Sequence, residues 1–403
     1  MRKFNSLLLL GTSLMILCVA TVSAWNYVSA ESLTVQPTIQ PVVQKQNFIN
    51  VEGANLNARL DAAIRMARSK SSKTPFWTAY SFDVRPGVAV DLDIDNFNGT
   101  VNNFSGTSIS MGKSSGMTVE TRNLGIFLLR EPDIDQVTRV EIYNLNRQRE
   151  YSSYPVYWLG RAGNDESTKL LQSLVNANQR NKIVEHAVTA IALHDDPRVG
   201  AILKEFVRNA SSSEKVRTTA VFWLGQTGGE SAFLADLVRR EDESTEVRKQ
   251  AAFSIGVGKD KEALATLQNL YGAVGNREVK KQIIFAASIN ESKDDAVNFL
   301  IKVAQTDNDR EARKQALFWL GQKAGQRSLE ALKDAVTSSS ADTEVQKQAV
   351  FAISQRSKDE AVPLLINIAR THQNPAVRKQ AIFWLGQTGD ERALDFFKEI
   401  LTK

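Results

Sequence analysis

Three histidines and one cysteine carry the most versatile side-chain chemistry in this chain of 403 residues. A histidine can ligate a metal ion, and beside a hydroxyl or thiol it can activate a nucleophile. Here Glu185 directly precedes His186, His194 follows in the same stretch, and His372 lies far along the chain. Cys18 falls in an apolar N-terminal run. Because this spacing groups no nucleophile with a base and provides few metal ligands, the sequence predicts no catalytic residue, no metal and no cofactor.

Three aspartates alternate with apolar residues in the segment VAVDLDID. Asp91, Asp93 and Asp95 have the spacing of the first ligands in a calcium-binding loop. That loop needs glycine where Asn96 stands and a closing glutamate where Asn102 stands. Since the alternation has the period of a β-strand, we interpret the aspartates as the solvated face of a half-buried strand.

The charge balance bears on the class of partner. The chain has 50 Lys and Arg residues against 45 Asp and Glu residues, a net charge of +5. Removing residues 1–24 would remove Arg2 and Lys3 and no acid, which lowers the net charge from +5 to +3. This mild excess does not indicate a nucleic-acid partner.

The N-terminus has the three parts of a secretory signal peptide. A short basic start is followed by an apolar run over residues 7–20 and by the small residues of Val22-Ser23-Ala24, with an alternative cleavage site at Val28-Ser29-Ala30. An uncleaved anchor is the other interpretation, but the run is shorter than a bilayer span. We therefore expect residues 1–24 to be removed and the protein to be exported, to the periplasm or the extracellular space, with no integral membrane segment remaining.

Behind the signal, the sequence changes character twice before residue 150. Residues 25–54 are rich in Gln and Pro with little charge, which is typical of a flexible linker. Residues 55–74 have apolar side chains at helical spacing and predict one amphipathic helix. Residues 75–150 contain short alternating or apolar runs between Gly, Pro and Asp turns, and they predict a small antiparallel β-domain.

From residue 151 to residue 403 the chain is repetitive. The segment VRKQAIFWLGQTGDERAL, which ends at Leu394, has near copies that begin at Val247 and Ala312. Eight anchor residues, 31 to 33 positions apart, mark the copies: Pro155, Ala187, Ala220, Ala251, Ile283, Ala316, Ala349 and Ala381. A period in the thirties indicates a solenoid, in which each unit buries its apolar face against its neighbours. The predicted fold is mainly α, an α-solenoid of about eight helix pairs preceded by the β-domain.

Each repeat predicts two helices, the second of which begins at the VR dipeptide. At about 100° per residue, positions −4, 0, +1 and +4 from the anchor share the side that faces the core. In the last two copies these positions are Val345, Ala349, Val350, Ile353, Val377, Ala381, Ile382 and Leu385. Because Pro155 would break a helix interior, we predict that the first copy is a truncated unit whose helix starts there.

Lys at position −2 and Phe at position +2 recur on the opposite side of the second helix in five copies, with Gln nearby at +6. The candidate partner-binding residues are Lys249, Phe253, Lys281, Phe285, Lys314, Phe318, Lys347, Phe351, Lys379, Phe383, Gln322, Gln355 and Gln387. One interpretation is a groove in which Phe anchors a protein or peptide while Lys and Gln contact its extended chain. The other is that the Phe rings fill gaps between adjacent helices, covered by Lys stems.

Large and small residues share position +3. Trp occupies this position in four copies, and Ala or Ser occupies it in the others: Trp158, Trp223, Trp319 and Trp384 against Ala190, Ser254, Ala286 and Ala352. Such an exchange of sizes at one position predicts interlocking core layers rather than a ligand site.

The pattern V-R-x-x-A-x-x-x-L-G-x-x-G-D-x-x-A-L, as in Val377–Leu394, resembles the HEAT repeat, in particular its phycobilisome-lyase HEAT-like variant. The resemblance covers residues 151–403, and it implies a helical solenoid. It also implies a ladder of hydrogen bonds from the VR arginines to acids of neighbouring turns. Arg217, Arg248, Arg313 and Arg378 match, whereas Lys280 and Gln346 interrupt the series. With its signal and β-domain, the chain resembles exported bacterial HEAT-repeat proteins of unassigned activity.

Two kinds of enzyme share this repeat. Bilin lyases act in the cytosol of photosynthetic cells, which the predicted signal contradicts. Deoxyhypusine hydroxylase binds two irons through several His-Glu pairs, whereas this chain has three histidines and only Glu185-His186, in the reversed order. Neither activity is expected here.

We therefore expect a non-enzymatic scaffold of the cell envelope that binds a protein or peptide along the concave face of the solenoid. An envelope enzyme is one alternative, and its pocket would lie near Arg147, Arg149 and Tyr154. Adhesion to an anionic envelope polymer through the Lys residues is another, and it would weaken steeply with salt. The sequence does not indicate the identity of the partner or the oligomeric state.

Overall fold

The computed structural model describes residues 48–90, 97–104, 107–114, 123–131, 136–146, 150–177, 181–258, 260–338 and 342–402. The predicted signal peptide and residues 25–47 of the predicted linker lie outside the described residues. So do Asp91, Asp93 and Asp95 of the strand prediction, and Arg147 and Arg149 of the predicted enzyme pocket.

Two sheets form the N-terminal part. Their strands are β1 (Ile49–Asn50), β2 (Phe76–Ser81), β3 (Val88–Val90), β4 (Phe97–Phe104), β5 (Thr107–Ser114), β6 (Leu124–Glu131), β7 (Gln136–Asn144) and β8 (Val156–Arg161). The larger sheet has the order β1-β8-β2-β6-β7, in which β8 runs parallel to β1 and β2 and the other pairs are antiparallel. The smaller sheet, β3-β5-β4, is antiparallel. The prediction of an antiparallel β-domain is therefore right for the smaller sheet and wrong for the larger one, which is mixed because β8 joins it in parallel.

Strand β8 also overturns the prediction of a truncated first repeat. Pro155 does not begin a helix, since its carbonyl accepts a hydrogen bond from the N–H of Trp77 at 2.9 Å and the residues after it pair with β2. The sequence YWLG in β8 is similar to the FWLG of the helical repeats. The β-branched and aromatic residues of β8 also favour a strand, however. Trp158 accordingly stacks on Phe48, with ring centroids 5.7 Å apart, instead of joining a helical layer.

Helix α1 (Leu56–Lys70) lies in the range predicted for the amphipathic helix. Asn55 caps it by accepting a hydrogen bond from the first turn at 2.9 Å. Arg59 donates to the carbonyl groups of Leu159 and Arg161, at 2.5 and 3.2 Å, and so fastens α1 to β8. Strand β1 falls in the range predicted as linker, and its pairing with β8 makes this part of the prediction wrong.

Beyond β8 the chain forms a helical array. Its helices are α2 (Asn164–Ala177), α3 (Asn181–Ala192), α4 (Val199–Arg208), α5 (Glu214–Thr227), α6 (Ser231–Arg239), α7 (Thr245–Val257), α8 (Ala263–Ala273), α9 (Arg277–Ser288), α10 (Lys293–Thr306), α11 (Arg310–Gly321), α12 (Gln326–Thr337), α13 (Thr343–Ser354), α14 (Lys358–Thr371), α15 (Pro375–Gln387) and α16 (Glu391–Leu401). They form seven pairs, α2–α3 to α14–α15, followed by α16. We name the even-numbered members first helices and the odd-numbered members second helices. The predicted fold class is confirmed, but the array begins at Asn164 rather than at residue 151. Within the described ranges, each helix is too short or too polar to cross a membrane.

Six second helices begin at a capping side chain. An oxygen of Ser, Asn or Asp accepts a hydrogen bond from an N–H of the first turn, which has no partner inside the helix. The capping residues are Ser213, Ser244, Asn276, Asp309, Asp342 and Asn374. These caps fix where each second helix starts and therefore keep equivalent residues in register from one repeat to the next.

In four repeats, at Arg217, Arg248, Gln346 and Arg378, the second residue of the VR dipeptide ties a pair of helices together. Arg248 donates to the carbonyl of Val238 at 3.0 Å, and Gln346, predicted to interrupt the series, makes the equivalent bond just after α12 at 3.0 Å. These carbonyl groups lie at the carboxyl ends of first helices, where the helix dipole favours a donor or a cation. The predicted pairing with an acid is found at Arg217, which binds Glu243.

The anchor residues lie at the centre of the array. All helical anchors from Ala187 to Ala381 are 0% exposed. Of the eight core positions predicted in the last two copies, seven are buried and Ile382 is only partly buried. Ile382 lies on α15, which among the described residues has a second helix packed on one side only.

Two kinds of contact join consecutive second helices. In the first, Gly at position +5 of one helix lies against the small residue at +3 of the next, and a Cβ on Gly225, Gly256 or Gly321 would lie 2.6, 2.6 or 2.7 Å from the carbonyl oxygen of that residue. In the second, Ala or Ser replaces the Gly, and Trp replaces the small residue. We name these glycine-type contacts (α5–α7, α7–α9 and α11–α13) and tryptophan-type contacts (α3–α5, α9–α11 and α13–α15). Helices in glycine-type contact pack more closely, so the exchange of sizes at +3 does produce interlocking layers.

Candidate functional site

The predicted Lys, Phe and Gln residues lie on one side of α7, α9, α11, α13 and α15, which we name the ladder face. Consecutive second helices pack more closely than consecutive first helices, as in the inner layer of a curved solenoid. Phe253, Phe285, Phe318 and Phe351 are half-buried, and Phe383 is 54% exposed. The rings therefore pack on one another, as the second interpretation predicts, and still keep the exposed surface that the first interpretation requires.

Aromatic rings form a column along the ladder face from α5 to α15. At glycine-type contacts two Phe rings stack with centroids 6.4, 6.0 and 6.2 Å apart, and at two tryptophan-type contacts Trp packs on the preceding Phe at 4.9 Å. The contacts are Phe222–Phe253, Phe253–Phe285, Phe318–Phe351, Phe285–Trp319 and Phe351–Trp384. These spacings are typical of favourable aromatic pairs. The sequence analysis missed Phe222 because α5 has Thr, not Lys, at position −2.

Glu residues accompany the Lys residues of the ladder face. In four repeats the Lys ammonium lies 2.9 to 3.2 Å from a carboxylate three residues earlier on the same helix. The pairs are Lys249–Glu246, Lys281–Glu278, Lys314–Glu311 and Lys347–Glu344. A row of Glu therefore runs beside the row of Lys and balances its charge. At the fifth repeat Ala376 takes the place of the Glu beside Lys379. The sequence analysis overlooked this row, although its i, i+3 spacing is visible in the repeats.

A groove lies on the ladder face where α5, α7 and α9 meet. It has a volume of about 390 Å³ and opens to solvent. Its walls are Glu214, Lys215, Thr218, Glu246, Lys249, Gln250, Phe253 and Gln282. Two amides, two ammonium groups and two carboxylates thus surround one aromatic ring. This mixture can hold an apolar side chain and hydrogen-bond the polypeptide backbone on either side of it.

The Gln residues divide into two groups. Gln322, Gln355 and Gln387, which the sequence singled out, are exposed near the ends of their helices. Gln226 has the same position on α5 but is 3% exposed, and its side-chain nitrogen has no hydrogen-bond partner in the described part of the chain. Gln also occupies position −1 of α7, α9, α11, α13 and α15. These Gln residues are half-buried, and two of them, Gln250 and Gln282, line the groove.

The residues with acid–base and nucleophilic chemistry meet elsewhere, at the junction of the larger sheet and the array. Tyr80 on β2, Ser167 on α2 and His194 after α3 form a hydrogen-bonded chain, with Oη–Oγ and Oγ–Nε2 distances of 3.1 and 2.8 Å. His194 Nδ1 donates to the carbonyl of Ala190 at 2.7 Å, which leaves Nε2 of the neutral ring as an acceptor facing the Ser167 hydroxyl, and that hydroxyl is also hydrogen-bonded to Tyr80 Oη. Phe82 packs on the imidazole at 4.4 Å between centroids.

The hydrogen-bonded side chains of Tyr80, Ser167 and His194 are shielded from solvent. Tyr80 and Ser167 are 0% exposed and His194 is 2% exposed. Burial lowers the pKa of His194 to about 4, against smaller opposing effects of its backbone hydrogen bonds and of Asp196, so the imidazole is neutral at neutral pH. Burial likewise raises the pKa of Tyr80. The hydroxyl groups and the imidazole are therefore enclosed where the sheet meets the array.

The two remaining histidines are also tied into the structure. His186 lies beside Glu141 of β7, with 3.9 Å between Nδ1 and Oε2, and bonds the carbonyl of Val140. His372 bonds the carbonyl of Val336 through Nε2 at 2.9 Å. The described ranges contain no group of three or more His, Cys, Asp or Glu side chains placed to hold a metal ion.

Comparison with known proteins relates part of the helical array to a known repeat family. Residues 231–321 and 329–403 match the family model of HEAT repeats, which confirms the resemblance inferred from the sequence. No curated protein matches the chain significantly. Among solved structures, human deoxyhypusine hydroxylase in complex with glycerol is similar with a TM-score of 0.30 and 18% identity, over 59% of this chain and 89% of that one. The Escherichia coli protein YibA has a TM-score of 0.32 and 19% identity, over 56% of this chain and 82% of that one. On the family match, residues 231–403 are built from HEAT repeats.

Proposed function

We propose that this protein is a non-enzymatic scaffold of the cell envelope that binds an extended segment of another protein along the ladder face. HEAT repeats form a helical scaffold suited to protein interaction, since stacked repeats create long concave surfaces. The observation that carries the proposal is the column of half-exposed rings from Phe222 to Phe383, bordered by Lys, Glu and Gln. Export rests on the signal-like composition of residues 1–24.

The spacing of the rings matches the spacing of side chains in an extended polypeptide. Alternate residues of a β-strand lie on one side and are about 6.6 Å apart. Stacked Phe rings of the column are 6.0 to 6.4 Å apart. An extended segment can therefore place successive same-side residues against successive rings, while its backbone faces the Gln amides.

The paired charges favour a polypeptide over an anionic polymer. A polymer of negative charges would compete with four Glu carboxylates for the Lys ammonium groups of the ladder face. A polypeptide with side chains of both signs can contact both rows. The Tyr80–Ser167–His194 chain gives no support to the alternative of an envelope enzyme, since its three side chains are buried.

The proposal is tested by removing two stacked rings. Unstructured peptides selected from a random display library for binding to the purified chain provide the ligand, and fluorescence anisotropy measures their affinity. We expect Phe318→Ala with Phe351→Ala to weaken binding by about 2 kcal/mol, roughly 30-fold. We expect added salt to have a smaller effect.

A matched control is Phe233→Ala, which removes a half-buried ring from α6 on the opposite side of the array. This variant should bind the selected peptides normally. If the double variant keeps full affinity at native stability, the ladder face is not the binding surface. A steep loss of affinity with salt, unaffected by the Phe substitutions, would favour polymer adhesion instead.

A further inference from the structure

Exposed apolar side chains concentrate on the last two helices of the array. Among the described residues, the large hydrophobic side chains that are exposed are Phe383 (54%), Leu394 (55%), Ile400 (43%) and Leu401 (83%), on or at α15 and α16, and Met66 (37%) on α1. Three of them have equivalents 32 residues earlier in the sequence that are buried: Val362 at 0%, Ile368 at 8% and Ala369 at 8%. The patch therefore consists of positions that, one repeat earlier, are covered by the next helix pair.

Gly386 lies in the same patch and is the fourth Gly at position +5. At Gly225, Gly256 and Gly321 an added Cβ would meet the backbone of the next second helix at 2.6 to 2.7 Å. At Gly386 the nearest atom is the tip of the Phe397 ring, at 4.0 Å. The surface that receives a neighbouring helix in three other repeats is therefore open here.

The six contacts between second helices follow one pairing rule. Wherever +5 is Gly, the next helix brings a small residue at +3, and wherever +5 is Ala or Ser, the next helix brings Trp. The pairs are Ala192 with Trp223, Gly225 with Ser254, Gly256 with Ala286, Ser288 with Trp319, Gly321 with Ala352, and Ser354 with Trp384. In each Gly pair a Phe at +2 also stacks on the Phe before it, as Phe351 does on Phe318 at 6.2 Å. The rule has a steric origin, because only Gly admits the neighbouring carbonyl so closely.

From this rule we infer that the open side of α15, together with α16, is a docking site for a helix of a partner protein. The partner helix carries an aromatic residue that stacks on Phe383, followed directly by Ala or Ser that lies against Gly386. Its remaining apolar face covers Leu394, Ile400 and Leu401. The site continues the interface that joins the repeats, and it shares Phe383 with the ladder face.

The same rule argues against a second copy of this chain as the occupant. The exposed second helix of another copy is α15, which has Trp384 at position +3 where the site needs a small residue. The helices that do carry Phe followed by Ala or Ser are α7, α9 and α13, and they are enclosed within the array on both sides. A helix of different origin fits the site without displacing any of them.

Two helices of the protein itself provide matched probes. A peptide with the sequence of α9, REVKKQIIFAAS, has Phe-Ala at the key positions, and a peptide of α11, REARKQALFWLG, has Phe-Trp at the same positions and the same length. Each is held helical by a side-chain lactam opposite the Phe, because short isolated helices are otherwise unstable. Anisotropy titrations against the purified chain should show saturable binding of the α9 peptide and at least about tenfold weaker binding of the α11 peptide.

The matched protein variant is Gly386→Ala. Its Cβ should abolish binding of the α9 peptide by blocking the close approach, yet the substitution should raise the thermal midpoint, since Ala favours a helix more than Gly does. Phe318→Ala with Phe351→Ala should leave this binding unchanged, which separates the inference from the ladder-face proposal. Equal affinity for the two peptides, or full affinity of the Gly386→Ala variant, would overturn the inference. So would sedimentation showing that the chain dimerises through this patch and that Gly386→Ala makes it monomeric.

Discussion

In the helical array a residue meets its equivalents about one repeat away, whereas in the larger sheet Trp77 pairs with Val156 and Ile49 pairs with Tyr157. The array repeats one apolar arrangement and places its charges at the surface. The contacts within the larger sheet are not repeated elsewhere in the described part of the chain. The sheet is joined to the array through buried polar groups. We therefore expect damage in the array to stay within neighbouring repeats and damage in the sheet to spread to everything that depends on the junction.

The largest expected effect compares two buried leucines. Leu128 on β6 is 0% exposed and Leu385 on α15 is 1% exposed, so replacing either with Ala should lower the free energy of unfolding by about 2 to 5 kcal/mol. Hydrogen exchange should then distinguish the regions. Leu128→Ala should increase exchange across the sheet and α2–α3, and Leu385→Ala should increase it only from α13 to α16.

Leu394→Ala serves as the control for this pair. Leu394 is 55% exposed, so the change in stability should be within about 0.5 kcal/mol. If Leu385→Ala increases exchange as far as the sheet, the array is one cooperative unit and the contrast between the regions is wrong.

The next effect tests the junction through pH. His194 keeps a pKa of about 4 in the folded protein against 6.5 for the unfolded chain, so only the unfolded state gains a proton between these values. The stability due to the neutral imidazole is complete above about pH 6.5, falls as the pH drops toward 4, and is lost below that. The loss should reach about 3 kcal/mol, measured by urea unfolding at a series of pH values.

Two variants sharpen the pH experiment. His194→Gln should remove this part of the pH dependence, while His372→Gln, on the loop before α15, should leave it in place. A stability that stays constant from pH 7 to pH 4, or an unchanged slope in His194→Gln, would show that the junction does not depend on a neutral imidazole.

The smallest effect compares two glycines with the same position in the repeat. Gly256→Ala should lower stability by about 1 to 3 kcal/mol, because its Cβ would lie 2.6 Å from the carbonyl oxygen of Ala286. Gly386→Ala should raise stability by about 0.5 to 1 kcal/mol, because the helix gains a better former and no neighbour is displaced. Thermal unfolding of both variants measures the difference. Two changes of the same sign would mean that the pairing rule does not describe close packing.

The comparison also explains what the sequence revealed. The period of the anchors predicts the array, because identical packing in each repeat requires similar residues at similar spacing. The caps at Asp342 and Asn374 are local too, since a capping oxygen acts within its own turn. The ladder residues were placed on one face correctly, but their partial burial depends on rings from adjacent helices, which a single helical wheel does not contain.

The errors lie where contacts are not local. The sequence YWLG is compatible with a helix or with a strand. Val156–Arg161 is a strand because it pairs with β2, which is far away in the sequence. The hydrogen-bonded chain of Tyr80, Ser167 and His194 joins three separate elements, and their positions in the sequence carry no signal of it. The pairing of Gly with small residues and of Ser with Trp was visible in the sequence, but it has meaning only once the helices are known to be neighbours.

The position of β8 at the end of the sheet region has a consequence for synthesis. A chain that emerges N-terminus first presents β2 well before residues 156–161, which cover one of its edges, have emerged. During that interval β2 offers unpaired backbone groups to other nascent chains. Each helix pair, in contrast, finds its contacts within its own neighbourhood and can form quickly. The risk of aggregation is therefore greatest in the interval between the appearance of β2 and that of β8.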